Sequence, residues 1–262
     1  MASERDLLLI FVSYHTSGPE IDVLKSCLDD LSENIGFAVV INDYKSGEPV
    51  DLLSDAADYF LPLNDNNGYG RAVNKLISHI DTLPKYICIL NTDVSWLADP
   101  FSLMVNWFNI NTEVVLAVPA IHDLHGNIQK LCKRNPTLLG LFSRRFVPDR
   151  FKPQWLFNYD DWYVMSSQDY SQVFECTYLS GCCMFVRSSA FEKVGGFDER
   201  YFLYLEDADL TRVLSLVGKC IHFPLTSIIH QWGRGNYISW RLMLVNFSSV
   251  WKYFSKWGWT LW

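Results

Sequence analysis

The chain has 262 residues with 49% apolar side chains, enough for one large core and too apolar for global disorder. A formal net charge of −7 excludes a nucleic-acid binder that works by bulk attraction to phosphate, although a metal ion or backbone N–H groups can still hold anions locally. The seven cysteines form no C-x-x-C pair, and several sit in apolar runs such as "YICIL" and "GCCMFV", which suits small hydrophobes in a reducing cytoplasm better than a disulfide framework.

In chain order, the N-terminal apolar run is too short for a signal peptide, and "LLLIFVS" (7–13) reads as a buried strand. "IDVLKSCLDDLSEN" (21–34) spaces Ile21, Leu24, Leu28 and Leu31 by three and four, which predicts a helix. "FAVVIN" (37–42) is a second strand. "GRAVNKLISHI" (70–80) is a second helix, with Ala72, Leu76, Ile77 and Ile80 on one side. "YICILN" (86–91) and "VVLAVP" (114–119) are the third and fourth strands. This alternation implies a parallel sheet covered by helices on both faces, with any ligand site past the carboxyl ends of the strands. Those ends read "SYHT", "NDYKSG" and "NTDVSW", so polar residues recur along one sheet edge.

Beyond about residue 120 the periodicity loosens. "IHDLHGNIQKL" (121–131) predicts a hairpin turning at Asp123–Asn127, with His122 and His125 solvated rather than in a zinc site. Residues 133–175 read as a long loop with short helices, and "GCCMFVRSS" (181–189) as another strand. The helix that starts near Glu206 is expected to run to about Val217, with Gly218 as its stop. The tail, 237–262, combines Trp240, Trp251, Trp257, Trp259 and Trp262 with Arg241, Lys252 and Lys256. It fits a helix packed on the body or one at a membrane interface. No stretch approaches the roughly 18 apolar residues of a membrane span.

Four places carry chemistry. Asp93, just past a buried strand with Asn91 two residues earlier, could hold a hard divalent ion or simply close an Asx turn. "LNDNNGYGRAVNKL" (63–76) opens a helix with a Gly- and Asn-rich turn, as anion cradles do and as ordinary turns also do; Arg71 could meet a phosphate or be a surface group. His230 is either structural or a metal ligand beside Asp93. In "FDERYFLYLEDADLTRVL" (197–214), acids follow an aromatic run. A helix beginning at Glu206 puts Asp207 on one face with Leu210, Leu214 and Val217, aimed at the protein body, and leaves Glu206 off that stripe. An inward carboxylate at a helix start is a candidate general base, whereas helix-end electrostatics accounts for Asp209.

These segments resemble the inverting GT-A glycosyltransferases of family 2, and more narrowly the bacterial rhamnosyltransferases that build O-antigen. The resemblance rests on "VSYHT" (12–16), "NNGYGRAVN" (66–74), "ILNTDV" (89–94), "GCCMFVRSSAFEKVGGFDERYFLYLEDADL" (181–210) and "IIH" (228–230). It implies a GT-A domain over 1–236, with a nucleotide-binding half to about 120 and an acceptor half beyond, followed by the helical tail of 237–262. It also implies that Ser13 and Tyr14 lie against the nucleotide, that Asn67, Gly68, Arg71 and Asn74 edge the donor pocket, and that Asp93 binds Mg²⁺ or Mn²⁺ on the donor diphosphate with His230. Asn91 stands where the metal motif has its first acid. Asp207 is then the base, with Glu206 beside it. The family has Asp then Asn after strand two; here the order is Asn42-Asp43, and either could contact the base of the nucleotide. The implied partners are a dTDP- or UDP-sugar donor and a lipid-linked glycan acceptor, at the inner face of the cytoplasmic membrane. Transfer of another sugar such as galactofuranose fits the same motifs, and a non-catalytic glycan-binding module would explain the aromatics alone. A nucleotidyltransferase would need a basic Gly-rich loop after strand one, which "SYHTSGPE" is not.

Overall fold

The computed structural model describes residues 5–55, 57–63, 65–231 and 240–262. Four parallel strands form one half of the sheet: β1 (Leu7–Tyr14), β2 (Ile35–Asp43), β3 (Tyr59–Pro62) and β4 (Tyr86–Asn91), in the order β3-β2-β1-β4. The other half is mixed. It contains β5 (Val94–Ser95), β6 (Val114–His122), β7 (Phe174–Glu175), β8 (Cys183–Arg187) and β9 (Lys219–His230). The strand expected over 181–189 is β8, which lies between β4 and β6 and runs antiparallel to both. β6 pairs with β9 in parallel, and the two-residue β5 pairs antiparallel with the end of β9, setting Val94 opposite His230. That last pairing joins two distant strand ends.

The helices are α1 (Gly18–Asp29), α2 (Tyr69–Ile77), α3 (Phe101–Ile110), α4 (Leu138–Phe146), α5 (Gln154–Tyr163), α6 (Ser188–Val194), α7 (Glu206–Leu214) and α8 (Trp240–Trp257). α1 starts three residues before the periodicity suggested, because Glu20 accepts the Ser17 N–H at 2.7 Å and Pro follows the cap. It stops at Asp29 rather than 34, since the chain must turn through Ser32–Asn34 to enter β2. α7 likewise ends at Leu214, with Val217 and Gly218 in the turn that follows. The hairpin after β6 turns at Asp123–Asn127 as expected, with Asp123 accepting the Asn127 N–H at 2.9 Å. α4 and α5 are the short helices of the loosely patterned 133–175 region.

The main core is built from β1, β2, β4, β6 and β8, whose apolar residues are almost entirely buried. A second cluster, including Tyr178, Tyr201, Leu205, Ala208, Tyr253 and Phe254, docks α8 onto α7. The stripe expected on α7 is only half right. Leu210 and Leu214 do face the main core, but Glu206 and Asp209 are also buried, Asp209 because α8 covers a second flank of the helix and Glu206 within a cleft that it lines. Asp207 is the partly exposed member of the three. The expected domain boundary at 236/237 and the glycine-flanked loop after His230 lie outside the described residues. Among those described, no helix is long and apolar enough to cross a membrane.

Candidate active site

The site lies past the carboxyl ends of β1, β2 and β4. The β1–β2 register slips by one residue between Ser13 and Tyr14, so that β2 carries one extra residue, Asn42. Asn42 is buried and spent on its neighbours: its Nδ2 donates to Asn66 Oδ1 at 3.0 Å, and its Oδ1 accepts the Asn67 N–H at 2.9 Å. Asp43 is left as the partly exposed acid of this edge. Ser13 is also buried, in a hydroxyl chain that runs through Thr16 (2.8 Å) to Thr92 (3.1 Å), next to Asp93. Tyr14 is 53% exposed and stands over the His15 ring, with centroids 4.3 Å apart. His15 adopts a left-handed backbone (φ 52°), and its Nδ1 lies 2.8 Å from Glu48.

The Gly- and Asn-rich turn before α2 is braced by the segment ahead of α7. Gly68 has φ 85°, and a Cβ there would stand 2.3 Å from the Phe202 carbonyl oxygen. The Tyr69 N–H donates to that same oxygen at 3.0 Å. Asn74 grips the backbone of Phe197 from both sides, donating to its carbonyl at 2.8 Å and accepting its N–H at 3.1 Å. Arg71 donates to the Glu199 carbonyl at 2.9 Å, and Asn67 Oδ1 accepts from Lys75 at 2.8 Å. Arg71 and Asn74 thus hold the donor-side turn against residues 197–202.

Asp93 and His230 meet, as expected. His230 Nε2 lies 3.4 Å from Asp93 Oδ2. Gln129, from the hairpin, holds the imidazole: its Oε1 lies 3.2 Å from His230 Nδ1, and its Nε2 donates to the His230 carbonyl at 2.9 Å. Asp93 Oδ1 is buried without a hydrogen-bond partner. A bare carboxylate oxygen beside an oriented imidazole fits Mg²⁺ or Mn²⁺. No cluster of three His, Cys, Asp or Glu occurs among the described residues, so this pair would leave further positions for phosphate and water.

Asp207 is tied to this pair through Gly181 and Cys182. The Gly181 N–H donates to Asp207 Oδ2 at 3.1 Å, its carbonyl accepts from Tyr69 Oη at 3.2 Å, and the Cys182 carbonyl accepts the Asn91 N–H at 3.1 Å. Burial pushes the Tyr69 hydroxyl well above its ordinary range, and the charges of Glu206, Asp207 and Asp93 all raise it further. Burial also raises the Asp207 carboxyl, but the Lys133 charge, the N–H groups of Ala208 and Gly181 and the Tyr178 hydroxyl oppose it. Glu206 has few such donors. Burial raises it first and the Asp207 charge second, and its Oε2 has no hydrogen-bond partner. Of two adjacent acids, Asp207 is therefore the one that ionises more readily and Glu206 the one that keeps its proton longer. Both line a cleft of about 590 Å³, together with Lys133, Arg144, Arg145 and Tyr178.

Sequence reasoning missed Gln129, Tyr69, Lys133 and Asp209. Tyr69 and Asp209 lie inside quoted motifs and Gln129 in the hairpin, but their side-chain partners are far away in the chain. Asp209, treated as a helix-end charge, instead anchors α8: its oxygens accept from Lys256 Nζ at 2.7 Å and from Trp257 Nε1 at 2.6 Å.

The profile of the family described as Glycosyl transferase family 2 matches residues 12–195. The chain is 46% identical over 233 residues to "Rhamnosyltransferase WbbL" of Escherichia coli (strain K12), covering 85% of this chain and 83% of that protein. It is 26% identical over 240 residues to "N-acetylglucosaminyl-diphospho-decaprenol L-rhamnosyltransferase" of Mycobacterium tuberculosis, covering 86% and 76%. Among the solved structures that share the fold are two glycosyltransferases. GalNAc-T7 with UDP, GalNAc and Mn²⁺ superposes with TM-score 0.68 at 9% identity, covering 97% of this chain and 48% of that one. Mannosyltransferase PcManGT of Pyrobaculum calidifontis with GDP-Man and Mn²⁺ superposes with TM-score 0.60 at 16% identity, covering 97% and 64%. The present chain thus spans about half to two thirds of those longer chains.

Proposed function

The chain belongs to glycosyl transferase family 2 and is a glycosyltransferase, and from that premise we propose that it moves L-rhamnose from dTDP-rhamnose, with inversion, onto a lipid-linked glycan at the inner face of the cytoplasmic membrane, in O-antigen or related polysaccharide synthesis. The sugar follows the names of both relatives, and the lipid-linked acceptor follows the mycobacterial one. The observation that carries the chemistry is the backbone-held Asp207, stitched by residues 181–182 to the strand end next to Asp93.

The nucleotide lies over Ser13, Tyr14 and Asp43, with Asp43 rather than Asn42 free to reach its base, since Asn42 is spent on the 66–67 turn. Asn67 and Gly68 form the pocket's far edge, and Arg71 and Asn74 brace that edge against residues 197–202. Asp93 and His230 hold Mg²⁺ or Mn²⁺, which when bound supplies positive charge to the leaving diphosphate. Asn91 keeps the neighbouring backbone in register. Asp207 takes the proton of one acceptor hydroxyl. That oxygen then bonds to the anomeric carbon as the bond from carbon to the diphosphate oxygen breaks on the opposite face, so one in-line step inverts the centre. A base so placed contributes on the order of 10²–10⁴-fold. Glu206, kept neutral, can donate to a hydroxyl of the bound glycan. The test is a donor screen with Mn²⁺ that reads released nucleotide. dTDP-rhamnose should exceed UDP-galactofuranose and other nucleotide-sugars, and a different winner would overturn the sugar assignment.

A further inference from the structure

α4 and α8 enclose an apolar groove of about 510 Å³, whose walls include Leu141, Phe142, Phe146, Phe247, Val250 and Trp262. Its aromatic residues are open to solvent: Phe142 is 56% exposed, Phe247 49% and Trp262 74%. Such contiguous apolar surface marks a contact site. The groove is built rather than incidental. Residues 260–261 hydrogen-bond to the start of α4, with Leu138 N–H donating to the Thr260 carbonyl at 3.0 Å and Leu139 N–H to the Leu261 carbonyl at 2.9 Å. Phe146 and Phe247 stack across it with centroids 6.1 Å apart, and Asp209 pins the end of α8 through Lys256 and Trp257.

The groove continues the cleft that holds Asp207. Leu141, Arg145 and Asn246 line both. The two acids lie on the cleft side with Lys133 and Arg144, Arg145 lies where cleft and groove meet, and the apolar walls lie beyond it. A saccharide joined through a diphosphate to an isoprenoid chain presents the same three chemistries. We propose that the α4–α8 groove binds the isoprenoid chain of a lipid diphosphate acceptor, with Arg144 and Arg145 on the diphosphate. The proposal rests on the lipid-linked acceptor reading above. A bilayer face or a second copy of this chain would use the apolar walls, and an anionic bilayer the cations as well, but neither accounts for the two acids that share the cleft with those cations.

The test is a tryptophan-fluorescence titration of the full chain, saturated with dTDP and Mn²⁺, using farnesyl diphosphate, dimethylallyl diphosphate and inorganic diphosphate. Farnesyl diphosphate should bind at least about tenfold tighter than dimethylallyl diphosphate, because each added methylene finds apolar wall. The double variant Phe142→Ser/Phe247→Ser should bring the two lipids level, Arg144→Gln/Arg145→Gln should weaken all three ligands, and dTDP affinity should hold in both. Equal affinity of the wild type for the two lipids overturns the proposal. So does a double variant that keeps the preference but loses flotation with phosphatidylglycerol vesicles, which assigns the groove to a bilayer. A double variant that keeps the preference but turns a wild-type dimer into a monomer in light scattering assigns it to a second copy, and also overturns the proposal. No readout here depends on sugar transfer, so an inactive donor screen and a failed lipid preference are separate results.

Discussion

The Gly181 N–H donates to Asp207 Oδ2 at 3.1 Å, and a Cβ at position 181 would stand 3.1 Å from the Cβ of that aspartate. The glycine is what lets the acid sit this close to the strand that follows the metal-binding edge. Gly181→Ala should push Asp207 by a few tenths of an ångström and lower kcat on the order of tenfold, because the reaction depends on sub-ångström placement. dTDP affinity, set on the other side of the cleft, should be unchanged. Steady-state kinetics beside calorimetry checks both.

Gln129 orients His230 through both of its amide atoms. Losing such an orienting partner costs roughly 10–100-fold in metal affinity. Gln129→Leu should weaken Mn²⁺ binding, read by electron paramagnetic resonance, by about tenfold, the low end of that range, while Asp93→Asn and His230→Ala should weaken it more. Unchanged affinity in His230→Ala would remove the histidine from the metal site.

The parallel half of the sheet and the polar strand ends were legible because buried parallel strands read as unbroken apolar runs. β3 was not, since four half-exposed edge residues leave little pattern. α3 was readable but unread: Phe101, Met104, Val105 and Phe108 share its buried face at helical spacing. The antiparallel insertion of β8 depends on long-range pairing that no local period encodes. At the site, the residues alone left His230 either structural or a metal ligand beside Asp93, and the family resemblance favoured the second, since the two-residue strand that brings them together carries no local pattern. The burial of Asp209 was hidden because one helix face was assumed where α8 supplies a second partner.

Asp209 is 1% exposed and accepts from Lys256, Trp257 and Tyr201. Removing it leaves the indole N–H without its acceptor and the Lys256 ammonium with Asp198 alone, at 3.0 Å. Breaking one side of a buried pair costs about 3–5 kcal/mol. The Lys256 side chain is a quarter exposed, so Asp209→Ala should destabilise the chain by about 3 kcal/mol, the low end, in urea denaturation. A change within about 0.5 kcal/mol, as expected of surface substitutions, would mean that this anchor is not what holds α8.

Burial and the Asp207 charge push the Glu206 carboxyl up to about 8. The folded chain therefore keeps a proton that the unfolded chain releases near the ordinary carboxylate value. The stability linked to this proton is fully present below that ordinary value and is lost as pH rises through about 8. Glu206→Gln cannot ionise, so its melting temperature relative to wild type should rise across this window. Parallel melting curves for the two proteins would contradict a buried, neutral Glu206.

The most direct test of the account is Asp207→Asn, assayed with the nucleotide-sugar that the wild type turns over. The amide keeps an oxygen to accept the Gly181 N–H but cannot take a proton. The account predicts that transfer falls on the order of 10²–10⁴-fold while calorimetric binding of dTDP with Mn²⁺ stays at the wild-type value. Transfer at the wild-type rate would contradict it.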